Sequence, residues 1–195
     1  MLKLLVATGN SHKTGEIRAM LGAGYDISDL KSHPELPSVE ESGTTFLENA
    51  TLKAVEISKR VPGLVLSDDS GLEVDALDGA PGVYSSRYAG EDGNDSANNT
   101  KLLHELDGVG DRTARFRCVM VLAENGKVLV SFDGAVEGHI IHQLHGQGGF
   151  GYDPLFMPDG FTQTFAQLGE DIKNGFSHRA RALDKVQAWL LAFAR

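Results

Sequence analysis

Two pairs of carboxylates, Glu40-Glu41 and Asp68-Asp69, are the residues of this chain best suited to metal chemistry. Their oxygens are hard donors that suit Mg2+, an ion that takes only one or two carboxylates from a protein and completes its shell with water and substrate phosphates. Each pair also has a plainer reading. Acids ahead of a helix are favoured by its dipole, and Asp68-Asp69 reads equally as a solvated turn. The second pair is harder to set aside, because it follows the apolar run Leu64-Val65-Leu66 and α/β sheets place ligands at strand ends. Cations and donors to match lie in Thr8-Gly9-Asn10-Ser11-His12-Lys13. There a helix N-terminus and its N–H groups could face a phosphate, with Gly9 permitting close approach and Lys13 adding a full charge. A plain strand-to-helix turn is the alternative, and the Walker pattern is absent. Asn49 and Lys53, four residues apart, share a helix face that starts near Glu41; a surface lysine is the other account of Lys53.

Two further clusters suit recognition of a base. Gly146-Gln147-Gly148-Gly149-Phe150-Gly151-Tyr152-Asp153-Pro154 combines a backbone able to wrap a ligand with the flat faces of Phe150 and Tyr152 and an acceptor at Asp153. It reads otherwise as an ordinary loop with two core aromatics. Lys173, His178 and Arg179 bring donors to the start of the last helix, where Ser177 would cap solvated charges in the simpler reading. His139, His142 and His145 invite a metal reading, but the first and second would face opposite sides of a strand, and no ligand follows at zinc spacing. Cys118 sits in the apolar pattern Phe116 to Leu122 and reads as core.

The elements that must position these residues follow from periodicity. Leu2 to Ala7 is a short buried strand, broken by Thr8-Gly9-Asn10 before a helix carrying Ile17, Met20 and Leu21. Thr45 and Glu48 form a capping box for a second helix with the stripe Phe46, Leu47, Ala50, Ala54, Ile57, ending near Pro62-Gly63. Leu64 to Leu66 and Leu72 to Val74 read as strands with the acidic segment Ser67 to Gly71 as a turn between them. Residues from Ala80 to Asn94 are rich in turn formers, and Ala97 to Leu106 is helical. Ala114 to Ala123 and Lys127 to Phe132 form a hairpin across Asn125-Gly126, Gly134 to Ile141 extends it, and a helix over Ser177 to Ala194 closes the chain. The result is an α/β fold with a mixed parallel and antiparallel sheet.

Composition bounds what such a fold can do. With 195 residues, 41% hydrophobic and 23% charged, the chain makes one domain with a sizeable core. Its net charge of −9 argues against a nucleic-acid polymer as partner, although a cation can reverse the field within one cleft. No apolar run approaches the ~20 residues that span a membrane, and the polar turn after Val6 is unlike a secretory signal. A single cysteine allows no internal disulfide, so a cytoplasmic location is the expectation.

Taken together, six segments resemble one family, the inosine/xanthosine triphosphate pyrophosphatases. They are Thr8-Gly9-Asn10 with Lys13; Glu40-Glu41 through Asn49-Ala50 with Lys53; Ser67-Asp68-Asp69-Ser70-Gly71-Leu72; Gly82 to Tyr88; Phe150-Gly151-Tyr152-Asp153-Pro154; and Ser177-His178-Arg179. Ala180 stands where that family has Gly, and Gly169 to Ile172 is a loose version of its acidic lead-in to Lys173. The resemblance spans nearly the whole chain. It implies an α/β fold with a mixed sheet flanked by helices, a central nucleotide-binding cleft, and one domain over 1–195 whose two lobes border the cleft. It further implies Mg2+-dependent hydrolysis of ITP, dITP and XTP to the monophosphate and pyrophosphate by a cytoplasmic homodimer, with neither nucleic acid nor membrane as partner. By the same resemblance Thr8, Asn10, Lys13 and Lys53 hold the triphosphate, with Gly9, Ser11, His12 and Ser70 beside them. Glu41 and Asp69, with Glu40 or Asp68, hold Mg2+, and Asp69 is the proton acceptor. Phe150, Gly151, Tyr152, Asp153, Lys173, His178 and Arg179 surround base and sugar. A pyrophosphatase for modified pyrimidine nucleotides and a non-catalytic nucleotide sensor are the rival readings.

Overall fold

The structure is a computed structural model that describes residues 2–193. Its strands are β1 (Leu2–Val6), β2 (Tyr25–Asp29), β3 (Leu64–Val74), β4 (Thr113–Glu124), β5 (Lys127–Ile140) and β6 (Phe156–Pro158). Its α-helices are α1 (Ser11–Leu21), α2 (Phe46–Ser58), α3 (Asp95–Glu105), α4 (Phe165–Leu168), α5 (Glu170–Asn174) and α6 (His178–Phe193). The strands form one six-stranded sheet in the order β2-β1-β3-β4-β5-β6. β1 pairs in parallel with both β2 and β3, and β5 pairs antiparallel with β6, so the sheet is mixed as expected. β4 and β5 are joined by Asn125-Gly126, both at positive φ (51° and 75°), the geometry that a two-residue hairpin turn requires.

Contacts divide the chain into two compact units. The first comprises residues 1–69, 118–134 and 179–195, and the second residues 70–117 and 135–178. In the first unit, Leu64 and Leu66 of β3 pack with Ile17 and Leu21 of α1, Cys118, Met120 and Leu122 of β4, and Leu183, Val186 and Leu190 of α6. Val65, on the opposite face of β3, packs with Leu5, Ala7 and Ile57 of α2. The second unit has its own core, built on Leu72, Val74, Leu102, Phe116, Ile140, Tyr152, Phe156 and Phe165. No helix among the described residues is long and apolar enough to cross a membrane.

Two local expectations are revised. Ser67 to Gly71 is not a turn between two strands: β3 runs unbroken from Leu64 to Val74, because Ser67, Asp68 and Asp69 are buried and find polar partners without leaving the sheet. Lys127 to Ile140 is likewise one strand where two had been read, and Asp133-Gly134 lies within it. The stretch after the Gly-rich loop holds β6 and two short helices, α4 and α5, which are too brief for periodicity to reveal. The last helix reaches Phe193, and the expected end at Ala194 lies outside the described residues.

Candidate active site

The alternation of β3 governs the chemistry of the first unit. Successive side chains on a strand point to opposite faces, so Asp68 follows Leu64 and Leu66 toward α1 and α6, while Asp69 follows Val65 and Ser67 toward α2. The capping box of α2 is formed as read: Thr45 accepts from Glu48 N, and the Glu48 carboxylate accepts from Thr45 N. Ser67 Oγ donates to Ala50 O at 2.6 Å, tying α2 to β3 one turn before Lys53. The Lys53 ammonium thereby reaches Glu41 Oε1 (2.8 Å), Asp68 O (2.9 Å) and Asp69 Oδ1 (2.9 Å). Burial by itself would lower the pKa of Lys53, but the two carboxylates outweigh it and raise the value. For Asp69 burial is the largest influence, and it keeps the pKa above the ordinary value despite Lys53 and Lys13.

On the other face, Asp68 is completely buried. Its Oδ1 accepts from Lys13 Nζ at 2.6 Å, and its Oδ2 accepts from Arg179 Nε at 2.9 Å and from Cys118 Sγ at 3.1 Å. Burial would raise its pKa, yet Arg179 and Lys13 hold it well below the carboxylate range. Arg179, only 1% exposed, also donates to Glu16 Oε2. Asp68 is thus an internal counter-ion and not an alternative metal ligand. Arg179, expected beside the base and sugar, is an internal cation between Asp68 and Glu16. In the sequence the one sign of Glu16 is an acid beside the core residue Ile17. Glu40 is exposed and makes no hydrogen bond or ion pair among the described residues, whereas Glu41 meets Lys53.

Before α1, Asn10 acts as N-cap: its Oδ1 accepts from His12 N (2.9 Å) and Lys13 N (3.2 Å). Those two N–H groups, expected to face an anion, are occupied by the protein's own side chain. Thr8 Oγ1 accepts from Asn10 N at 3.1 Å, and Thr8 O accepts from Leu30 N, fixing the loop on which Gly9, Ser11 and His12 are exposed. Lys31 reaches Ser11 Oγ at 2.6 Å.

In the second unit, Lys173 is 2% exposed and donates to Asp153 Oδ2 at 2.6 Å, an oxygen that also accepts from Phe150 N. The same ammonium lies 4.9 Å from the centre of the Phe150 ring, within cation–π range. Gly151 is held by Asp95, which accepts from its N–H at 2.6 Å, and by Asn99, whose Nδ2 donates to Gly151 O. His178 stacks on Phe116 at 4.8 Å. Tyr152, read as a stacking platform, is a core residue instead: it is 3% exposed and its hydroxyl donates to Ser85 O. Ser70 is half-buried on β3. His139, His142 and His145 are exposed, and no three His, Cys, Asp or Glu side chains among the described residues group as metal ligands.

The match to known proteins covers this whole arrangement. The sequence pattern of the Ham1 family fits residues 4–189. The chain belongs to the Ham1 family. It is 50% identical over 195 residues to a protein of Exiguobacterium sibiricum named dITP/XTP pyrophosphatase, covering 98% of each chain. Among solved structures it is similar to the Staphylococcus aureus Ham1 protein (TM-score 0.87, 39% identity, 97% of this chain and 98% of the other). It is also similar to a Coxiella burnetii HAM1 protein (TM-score 0.88, 37% identity, 98% of this chain and all of the other). The family resemblance and the fold class read from the sequence are borne out.

In the first unit, Glu41 and Asp69 are the carboxylates that could hold a divalent cation. Three cations (Lys13, Lys53, Arg179) are bonded among four carboxylates (Glu16, Glu41, Asp68, Asp69), so a full set of charges leaves one negative charge over. Asp69 Oδ2 is buried without a hydrogen-bond partner. A buried carboxylate oxygen left unsatisfied is costly, and either a hard cation or a water would satisfy it.

Proposed function

We infer that this chain hydrolyses noncanonical purine nucleoside triphosphates, ITP, dITP and XTP, to the monophosphate and pyrophosphate. The observation that carries the reading is end-to-end identity of about half with proteins named dITP/XTP pyrophosphatase. The Lys53, Glu41 and Asp69 cluster supports it chemically. Glu41 and Asp69 would hold Mg2+, which supplies Lewis-acid stabilisation of charge on the phosphates when bound. Lys13 and Lys53 would neutralise the triphosphate, with Thr8 and the exposed loop Gly9 to His12 beside it. Asp69 would accept the proton of the attacking water, while Lys53 holds Oδ1 and fixes the carboxylate's orientation. Water adds to phosphorus, the bond between the α and β phosphates breaks, and pyrophosphate leaves as a unit.

Base recognition falls to Phe150, Lys173 and His178, with Gly151 and Asp153 as their support. A 6-oxo group accepts from such donors, whereas the N6 amino group of adenine would leave them unpaired. We further propose a cytoplasmic homodimer; the exposed Leu191 and Phe193 of α6 support a second copy as partner.

The deciding measurement is product analysis across ITP, dITP, XTP, ATP and modified pyrimidine triphosphates, with Mg2+ and with excess chelator. Pyrophosphate from the 6-oxopurines, lost with chelator, is the expected result. Orthophosphate release, or full activity in chelator, would refute it, and a monomer in sedimentation would remove the dimer.

A further inference from the structure

The segment that carries Glu41 is held by a contact the pyrophosphatase reading does not need. Asn49 lies one turn before Lys53 on the same face of α2 and is completely buried. Its Oδ1 accepts from Gly43 N at 2.8 Å, so a helix side chain grips the irregular segment two residues beyond Glu41. The approach is close enough to demand glycine. A Cβ on Gly43 would lie 2.7 Å from Asn49 Oδ1 and 2.6 Å from Glu48 Cβ, closer than real Cβ contacts come. The other end of the carboxamide, Nδ2, is buried with no partner. A buried donor left unsatisfied is costly, so the carboxamide is poor packing material, and its usefulness lies in the Oδ1 contact.

We propose that Asn49 and Gly43 form a latch that positions Glu41 as a metal carboxylate beside Asp69. Lys53 is bonded from one side by Glu41 and from the other by Asp69. The latch places the 40–43 segment at the distance where one ammonium reaches both. Thr44, the next residue, also bonds Glu48 at the start of α2, but the Gly43 contact is the described backbone tie nearest Glu41, and without it Glu41 drifts from Asp69 while Asp69, Lys53 and α2 stay where β3 holds them. Asn49 and Gly43 are positioning residues that act through Glu41. The inference rests on the metal reading of the site given above.

The test compares Gly43→Ala, Asn49→Ala and Glu41→Gln. For each, the Mg2+ concentration giving half-maximal pyrophosphate release is measured at saturating ITP, together with KM for ITP. Binding of Mn2+ alone to the nucleotide-free protein is followed by electron paramagnetic resonance, and the melting temperature is recorded. Both latch variants should raise the half-saturating Mg2+ and weaken Mn2+ binding about tenfold or more, in the direction of Glu41→Gln, as changes to groups that orient metal ligands do. Gly43→Ala, which forces the fully buried Asn49 Oδ1 off its partner, should melt lower as well, and metal curves recorded well below that melting temperature separate positioning from stability. Latch variants that melt lower but bind Mn2+ and respond to Mg2+ as wild type would overturn the latch alone. Unchanged metal curves for Glu41→Gln would overturn the metal reading and the latch with it.

Discussion

Replacing Asp68 by Asn removes the charge from a completely buried carboxylate that accepts from Lys13 at 2.6 Å, Arg179 at 2.9 Å and the Cys118 thiol at 3.1 Å. The amide keeps the volume but removes the one negative charge that Lys13 and Arg179 both bond. Breaking a buried ion pair from one side costs about 3–5 kcal/mol. At about 2–4 °C of melting temperature per kcal/mol for a chain of this size, the variant should melt roughly 6–20 °C below wild type. The neighbouring change, Asp69→Asn, should behave in the opposite way. Lys53 retains Glu41 at 2.8 Å, and burial already disfavours the ionised form of Asp69. Its stability should therefore stay within about 1 kcal/mol of wild type, while turnover falls by at least ~10², the lower range for loss of an acid–base group. Thermal melts of both variants and pyrophosphate release from ITP make the comparison. An Asp68→Asn protein that melts with wild type would refute the internal counter-ion role, and a folded Asp69→Asn protein with normal turnover would move the base elsewhere.

Acid should erode the Asp68 contribution selectively. Its folded pKa lies below the ordinary 3.8, so its stabilisation is fully present above that value and is lost as pH falls through the lower folded one. The gap in melting temperature between wild type and Asp68→Asn should accordingly narrow below pH 3.8, and a constant gap would contradict the assignment. The Cys118 thiol is buried, and burial together with Asp68 pushes its pKa well above 9.0. It should resist a disulfide reagent at about pH 8 in the native protein and react on unfolding; rapid native labelling would argue against the geometry. Tyr152→Phe should lose about 0.5–1.5 kcal/mol of stability with its bond to Ser85 O and leave KM for ITP unchanged. A large rise in KM would restore Tyr152 as a ligand residue.

Much of the site was legible because its parts are local. The capping box of Thr45 and Glu48, the Asn125-Gly126 turn and the four-residue step from Asn49 to Lys53 are rules of one helix or one turn, and each is found as read. The juxtaposition of Glu41 with Lys53 follows from the same helical face. What stayed hidden depends on long separations: Arg179 lies 111 residues from Asp68 and 163 from Glu16. No periodicity announces such a triad, and an arginine beside a histidine at a helix start looks like a donor to a ligand until its burial is seen.

Sequence by itself determined which groups were available: the acidic pairs, the lysines, the strand and helix patterns around them, and the six segments that mark the family. Only tertiary structure decided how Asp68 and Asp69 divide their work. As residues of a turn they would be interchangeable. As successive residues of β3 they point to opposite faces, one into the cations of α1 and α6 and the other toward Lys53 of α2. A strand reading needs the buried cations that make two adjacent carboxylates tolerable inside a sheet, and those cations arrive from segments far away in the chain.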